Sequence, residues 1–327
     1  MFRAIQLTKD DAGVHAAVRE LDDTDLPAGD VTVAVDHSTI NYKDGLAVSG
    51  KGKVVRSWPM VPGIDFAGSV AESASDRFKP GDAVILTGWG VGERYWGGFA
   101  QKARVRPEWL VPMPEGLDAR KAMTIGTAGL TAMLCVMTLE EAGVAPDSGK
   151  VLVTGAAGGV GSIAVLLLSQ LGYEVTAQSG RPETRDFLAG LGASDFVSRD
   201  EMSQPGRPLE TQRWAGAVDV TGGAILARVL AEMNYGGAVA ACGLAASFKL
   251  ETTVMPFILR NVSLRGVDSV YCPIDRRTEA WRRLAHELPD SAFDEIGSVI
   301  GLEEVPGAAA DIIAGKIKGR TLVDPNS

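Results

Sequence analysis

A chain that carries Val151-Leu152-Val153-Thr154 directly ahead of Gly155-Ala156-Ala157-Gly158-Gly159-Val160-Gly161 has few folds open to it. The first four residues are an apolar run of the kind that forms a strand buried on both faces. The glycines make a tight turn, and Ile163 to Leu171 continue as an apolar helix. The spacing is A-x-G-x-x-G, with Ala156 standing where the dinucleotide fingerprint ordinarily has its first glycine. In such a turn, which includes Ala157, Gly158 lets the backbone approach a pyrophosphate and Gly161 lets the helix pack on the strand. The amides of Gly159 and Val160 then face the anion with the helix dipole behind them. A glycine triplet alone is explained equally well by a ligand-free turn. The second strand, Glu174-Val175-Thr176-Ala177, about twenty residues further on, favours the dinucleotide.

The tip of that second strand bears on which dinucleotide is bound. NAD enzymes usually end it with a carboxylate that grips the ribose hydroxyls. Here Gln178 runs into Ser179-Gly180-Arg181. A carboxylate would repel a 2′-phosphate, whereas a hydroxyl and a guanidinium bind it through charge-assisted hydrogen bonds. The expected cofactor is NADPH. The alternation then continues through a helix from Arg185 to Leu191, strands at Asp195–Val197 and Ala217–Val220, and a helix from Ala224 to Met233. A strand at Ala238–Ala241 follows, and Val262–Val267 supplies a sixth. This predicts an α/β domain with a six-stranded parallel sheet covered on both faces. Thr221 and Cys242-Gly243-Leu244, at strand ends, are expected to border the cofactor. Cys242 reads as a small buried residue rather than a nucleophile.

Outside this region the texture differs. Phe2–Leu7, Val31–Val35, Gly68–Ala71 and Ala83–Leu86 read as short strands separated by turn residues such as Pro27-Ala28-Gly29-Asp30 and Lys79-Pro80-Gly81-Asp82, which suggests a barrel-like β domain. Asp118 to Ala142 reads as one helix. The tail holds helices at Thr278–Glu287 and Gly301–Asp311 and a strand at Thr321–Val323. The expected organisation is 1–123, 124–265 and 266–327, the last segment returning to the first domain. The net charge of −9 offers no basic stripe for a nucleic acid backbone, although it leaves room for a phosphorylated small molecule. Cys135, Cys242 and Cys272 form no CxxC pair, so neither a disulfide framework nor a thiolate metal site is indicated. The amino terminus lacks a signal-peptide core, and the longest apolar stretch noted, Ile163 to Leu168, is too short for a bilayer. A cytoplasmic protein without a membrane partner is expected.

Several motifs occur together in order: Pro62-Gly63-Ile64-Asp65-Phe66-Ala67-Gly68, Gly97-Gly98-Phe99-Ala100, Gly126-Thr127-Ala128-Gly129-Leu130-Thr131-Ala132 and the glycine turn. Across essentially the whole chain they resemble the medium-chain dehydrogenase/reductases of the quinone oxidoreductase branch. Ile40-Asn41-Tyr42-Lys43-Asp44-Gly45, Ser179-Gly180-Arg181, Leu259-Arg260-Asn261-Val262 and Gly266-Val267-Asp268-Ser269-Val270 are similar to the acryloyl-CoA reductase subgroup. The resemblance implies a GroES-like catalytic domain built from both chain ends, a Rossmann domain between them, and a cleft holding the nicotinamide. Zinc enzymes of the family have Cys where Asn41 stands and His where Ile64 stands; asparagine is a poor zinc ligand and isoleucine is none. The four-cysteine zinc lobe is missing as well, and His15, His37 and His286 share no ligand spacing. No metal is expected.

The same resemblance assigns roles. Asn41 is expected to hydrogen-bond a substrate carbonyl, and Tyr42 to contact the cofactor and orient substrate or a water. Arg320, in Gly319-Arg320-Thr321, is expected to meet the cofactor or the acyl carbonyl. Thr127 is placed near the nicotinamide ribose or amide, Asn261 near the adenosine phosphate, and Thr131, Asp268 and Ser269 at the cofactor. Lys43, Asp44 and Asp65 read as structural. The implied reaction is NADPH-dependent reduction of the 2,3 double bond of a short enoyl-CoA, acryloyl-CoA to propanoyl-CoA. A quinone or enone reductase is the alternative, and a non-catalytic NADPH-binding protein is the rival of another class. The outermost sheet strand, Val262–Val267, invites pairing across a two-fold axis, so a homodimer is expected.

Overall fold

The computed structural model describes residues 1–327, with side chains described at every position except 294 and 295. The strands in chain order are β1 (Phe2–Asp10), β2 (Gly13–Leu21), β3 (Val31–Thr39), β4 (Asp65–Ser73), β5 (Ala83–Thr87), β6 (Lys102–Val105), β7 (Leu110–Pro112), β8 (Val151–Val153), β9 (Val175–Ser179), β10 (Asp195–Ser198), β11 (Trp214–Asp219), β12 (Met233–Ala241), β13 (Ser263–Gly266), β14 (Gly297–Gly301) and β15 (Arg320–Asp324). The α-helices are α1 (Tyr42–Val48), α2 (Ala119–Glu141), α3 (Gly159–Gln170), α4 (Arg185–Gly190), α5 (Arg199–Ser203), α6 (Gly223–Glu232), α7 (Met255–Arg260), α8 (Ile274–Glu287), α9 (Asp290–Ile296) and α10 (Val305–Ile313). The chain divides into two compact units. One comprises Met1–Thr127 with Ser269–Ser327, and the other Ala128–Asp268. The borders fall a few residues beyond the expected 123/124 and 265/266.

In the first unit β1 and β2 form a hairpin, and a seven-stranded sheet runs β14-β15-β3-β4-β5-β7 with β6 also paired to β3. Val31, Val33 and Val35 alternate along β3, and all three are buried with Phe66, Val84, Leu86 and Leu110. Each such side chain contributes about 1.5–3 kcal/mol when fully buried. Near the other end of β3 and β15, Ile40 and Val323 join Ile5, Leu7, Met60 and Phe99 in a separate cluster. The carboxyl-terminal β15 pairs antiparallel with β3, bringing Leu322 opposite Thr39. That pairing carries Arg320 to the same end of the sheet as Asn41. β2, β6, β7 and β14 were not apparent from the sequence, because they are short or lack a clean apolar alternation.

Helix α2 is not continuous. Gly126 has φ 53° and ψ −160°, so the expected single helix from Asp118 to Ala142 is two pieces joined by a left-handed residue. By length and composition the whole of α2 is apolar enough to cross a membrane, and it is far longer than the run from Ile163 to Leu168. Its most apolar window is 89% buried within the protein, and neither piece beside Gly126 reaches the ~20 residues a bilayer needs.

The second unit is a parallel six-stranded sheet in the order β10-β9-β8-β11-β12-β13. The chain adds β9 and β10 on one side of β8 and then β11 to β13 on the other, and this change in strand order beside β8 makes the switch point at which dinucleotides bind in such sheets. Residues Val151, Leu152 and Val153 of β8 are fully buried, as a central parallel strand requires. β12 starts at Met233, several residues before the expected Ala238, because Gly236 and Gly237 interrupt the apolar pattern without ending the strand.

Candidate active site and nucleotide site

The polar centre of the first unit is Asp65, the first residue of β4 and fully buried. Its Oδ1 accepts from the Thr39 amide at 3.2 Å and the Thr39 hydroxyl at 2.7 Å. Its Oδ2 accepts from Asn41 Nδ2 at 2.9 Å and the Thr127 amide at 2.8 Å. Arg320 stands beside it, 3% exposed. The guanidinium donates to Thr39 Oγ1 at 2.8 Å, to Asn41 Oδ1 at 3.2 Å and, through Nε, to the Thr124 carbonyl at 3.3 Å. Burial pushes the Arg320 guanidinium below its ordinary range, and the charges of Asp65 and Asp44 oppose that shift. Gly126 explains itself here. A Cβ on it would stand 2.6 Å from Arg320 Nη2 and 3.0 Å from Asp65 Oδ2.

Asp44, also buried, lies one turn into α1 and accepts from the amides of Asn41 (2.9 Å), Ile64 (3.0 Å) and Gly63 (3.1 Å). It ties the start of α1 to the loop ahead of β4. Burial raises its pKa to about 7, and the neighbouring Asp65 charge adds to the rise.

These bonds change the expected roles. The amide of Asn41 donates to Asp65 and Thr39, and its oxygen accepts from Arg320, so the side chain is engaged on both ends. A substrate carbonyl would have to displace one of those partners. Arg320 likewise faces the protein's own oxygens. Tyr42, the first residue of α1, is different: it is 46% exposed, and its hydroxyl makes no hydrogen bond among the described residues. Thr127 meets Asp65 through its backbone. Ile64 is buried and apolar at the position where the zinc enzymes have a histidine.

In the second unit the glycine turn has the donor set a pyrophosphate needs. Gly158 is the N-cap of α3 and has no side chain to satisfy the first amides of this 12-residue helix, among them those of Gly159 and Val160. A Cβ on Gly161 would meet the Gly155 carbonyl at 2.5 Å, so that residue sets the close packing of helix and turn. Ala156 and Ala157 are buried inside the turn. Gln178 holds it from the neighbouring strand: its side-chain oxygen accepts from the Gly155 amide, and its carbonyl from the Ala156 amide, both at 2.9 Å.

At the end of β9, Ser179 Oγ accepts from the Arg181 amide at 3.1 Å, and Arg181 Nη2 donates to the Ala157 carbonyl at 3.2 Å. The tip of the strand is thereby folded onto the glycine turn. A second cation, absent from the expected set, lies alongside. A Cβ on Gly180 would stand 2.5 Å from Arg199 Nε, so the lack of a side chain at Gly180 makes room for that guanidinium. Arg199 arrives there because β10 pairs with β9 in parallel, with Ser198 opposite Ser179.

Asp219, buried at the end of β11, is a further residue the sequence did not single out. It accepts from Thr154 Oγ1 at 2.7 Å, Thr221 Oγ1 at 2.9 Å and the Gly222 amide at 2.8 Å, locking the strand ends together. Thr221 is therefore tied to the carboxyl ends of the central strands β8 and β11. Gly243 is required for packing: a side chain there would run into the Val220 carbonyl. Leu244 is 62% exposed. Cys242 Sγ lies 3.5 Å from the Asp219 carbonyl and is only part-buried. Thr131 is buried within α2. Asn261 takes the left-handed conformation, φ 52°, that ends α7, a position asparagine tolerates well without any ligand. Asp268 is the exposed last residue of this unit, and Ser269, first of the returning segment, accepts from Arg277 Nη2 at 3.0 Å through its carbonyl.

The chain matches two families over these regions, the alcohol dehydrogenase GroES-like domain over residues 27–115 and the zinc-binding dehydrogenases over residues 159–288. A relative from Ruegeria pomeroyi, named acrylyl-CoA reductase AcuI, is 55% identical, with all of both chains covered. The chain belongs to the acryloyl-CoA reductase branch of the medium-chain dehydrogenase/reductases. Despite the second family's description, no group of three or more His, Cys, Asp or Glu side chains among the described residues is placed to hold a metal ion. The crystal structure of Escherichia coli K-12 YhdH with bound NADPH superposes with a TM-score of 0.97 at 59% identity, covering 99% of this chain and 100% of that one. The Bacillus subtilis protein yhfP, solved with NAD bound, gives a TM-score of 0.96 at 45% identity, with 99% of each chain covered.

Proposed function

We propose that the protein is an NADPH-dependent reductase of the 2,3 double bond of a short 2-enoyl-CoA, converting acryloyl-CoA to propanoyl-CoA. The observation that carries this reading is the end-to-end likeness to the acrylyl-CoA reductase of Ruegeria pomeroyi. When bound, NADPH supplies a hydride to the β-carbon of the substrate, and negative charge develops on the thioester oxygen.

The protein's own groups divide the remaining work. The first amides of α3 take the pyrophosphate. Arg181 and Arg199 flank the strand tip and take the 2′-phosphate, which selects NADPH over NADH. Tyr42, with its free hydroxyl, is the side chain that meets the thioester or a water carrying the proton to the α-carbon. Asn41 and Arg320 act as positioning residues. Their bonds to Thr39 and Asp65 hold the start of α1 and hence Tyr42.

The protein is further read as a cytoplasmic homodimer paired through β13. That strand is the sheet edge, and Leu244, Phe248, Val254, Ile258 and Leu259, all in the adjoining segment, expose large apolar side chains. The test of the main reading is NADPH oxidation on addition of acryloyl-CoA, with a simple quinone in parallel and the product identified by mass. Formation of propanoyl-CoA with acryloyl-CoA as the better substrate is expected. Turnover of the quinone alone would overturn the reading.

A further inference from the structure

The chain carries a net charge of −9, yet its residues 45–64 contain Lys51, Lys53 and Arg56 and not one Asp or Glu. This stretch holds the last residues of α1 and the loop that follows, within the first unit. All three cations are exposed, and none makes an ion pair among the described residues. The loop that presents them is anchored. Val54 and Val55 pack against the cluster of Ile5, Leu7, Ile40 and Val48. Gly52 lies against α1, where a Cβ would meet Leu46 Cβ at 3.2 Å. The two valines face inward and the three cations face solvent, carried by an anchored backbone.

The array is also tied to the residue beside Tyr42. The Arg56 amide donates to the Glu93 carbonyl at 2.7 Å, and the Glu93 carboxylate pairs with Lys43 Nζ at 2.6 Å. Arg94 follows Glu93, and its carbonyl accepts from Ser57 Oγ at 3.2 Å. Glu93 is the sole acid between Trp89 and Pro107, and Lys43 already neutralises it. From Tyr42 outward the surface of this unit therefore runs through Lys43 and Glu93 to a collar of Arg56, Arg94, Lys53 and Lys51.

We propose that this collar binds the phosphate-bearing nucleotide tail of the coenzyme A thioester. The inference rests on the acyl-CoA reading above. Coenzyme A joins its thioester to a 3′-phosphorylated adenosine diphosphate through a long pantetheine arm, so a reductase acting near Tyr42 leaves a polyanion well outside the reacting carbons. Uncompensated cations on an acidic protein attract such a group and raise its local concentration. The half-buried Val54 and Val55 hold the backbone that carries those cations, which lowers the cost of ordering the loop on binding.

The test compares acryloyl-CoA with acryloyl-pantetheine, which has the same thioester and arm without the nucleotide. The variant is Lys51→Ala/Lys53→Ala/Arg56→Ala. The control, Lys9→Ala/Arg19→Ala/Lys79→Ala, removes three exposed cations elsewhere on the unit. Three exposed ionic contacts are lost together, so KM for acryloyl-CoA should rise roughly tenfold in the variant and stay at the parent value in the control. The parent's preference for acryloyl-CoA over acryloyl-pantetheine should collapse in the variant, and raising salt should weaken the parent's KM for acryloyl-CoA more than the variant's. A KM for acryloyl-CoA within twofold of the parent, or an equal rise with both thioesters, would overturn the collar. A rise in KM for NADPH of the same size would assign the cations to the cofactor and overturn it too. A parent that reduces neither thioester would instead refute the acyl-CoA reading.

Discussion

Replacing Asp65 by Asn keeps the shape of the side chain and removes its charge and half of its acceptor capacity. Four donors converge on that carboxylate: two from Thr39, one from Asn41 and one from Thr127. An amide can accept two of them at its oxygen and must point its own N–H bonds at the other pair. The least costly orientation turns the amide towards Thr39, where the hydroxyl can rotate but the backbone N–H cannot. One buried amide is left unsatisfied, at about 1–3 kcal/mol. Arg320, 3% exposed and linked to Asp65 only through Thr39 and Asn41, also loses an opposing charge, and leaving a buried cation less compensated adds about 2 kcal/mol. The two costs overlap, so we expect roughly 3–4 kcal/mol. Five of the six tryptophans (Trp58, Trp89, Trp96, Trp109 and Trp281) lie in the first unit, so fluorescence reports its unfolding. With an m-value near 2 kcal/mol/M, the urea midpoint of that unit should fall by about 1.5–2 M. In Asp65→Asn/Arg320→Met the uncompensated cation is gone and much of the loss should return. A midpoint within about 0.3 M of the parent for Asp65→Asn, or strictly additive losses in the double variant, would refute the reasoning.

Three further outcomes are expected. Arg181→Ala and Arg199→Ala should each weaken NADPH about tenfold or more while changing NADH little, from the loss of a charge-assisted contact, and steady-state KM values for both cofactors check it. Asp44 has its pKa raised to about 7, so its favourable contribution is full below the unfolded value near 3.8 and is lost as pH rises towards 7. Urea midpoints of the first unit should therefore fall between pH 4 and pH 7 in the parent and fall less in Asp44→Asn; parallel profiles would remove that assignment. Light scattering at micromolar concentration should give twice the 34.3 kDa chain mass, and Leu264→Pro, within β13, should shift it towards the monomer. A parent that scatters as a monomer would dismiss the proposed pairing.

What the sequence made legible was the part of the fold governed by local rules. The run Val151–Val153, the glycine turn and the helix behind it obey short-range geometry, and the structure shows them as β8, the turn and α3. The alternation of strand and helix likewise yields the six-stranded parallel sheet with β13 at its edge. The sequence could not show which distant segments meet. Arg199 looks like an ordinary surface arginine until β10 pairs with β9 and sets Ser198 opposite Ser179. Gln178 and Asp219 read as unremarked strand residues, and only the sheet reveals that they hold the glycine turn and the neighbouring strand ends.

The first unit carries the same lesson into chemistry. Asn41 and Arg320 are residue types that carry chemistry, but residue type does not reveal what a buried side chain is already bonded to. Their partners, Thr39, Asp65 and Thr124, come from β3, β4 and α2, so the satisfied network exists only after the sheet has closed. One signal was available. Gly126 sits between apolar residues at helical spacing, where alanine would be favoured by about 1 kcal/mol unless something forbids a side chain. Here both the left-handed backbone and the Arg320 guanidinium 2.6 Å from the missing Cβ forbid it. A glycine inside a helical pattern thus marks the place where the arginine is packed, and that packing makes Arg320 a residue that holds Asn41 in position, leaving Tyr42 as the exposed side chain of the group.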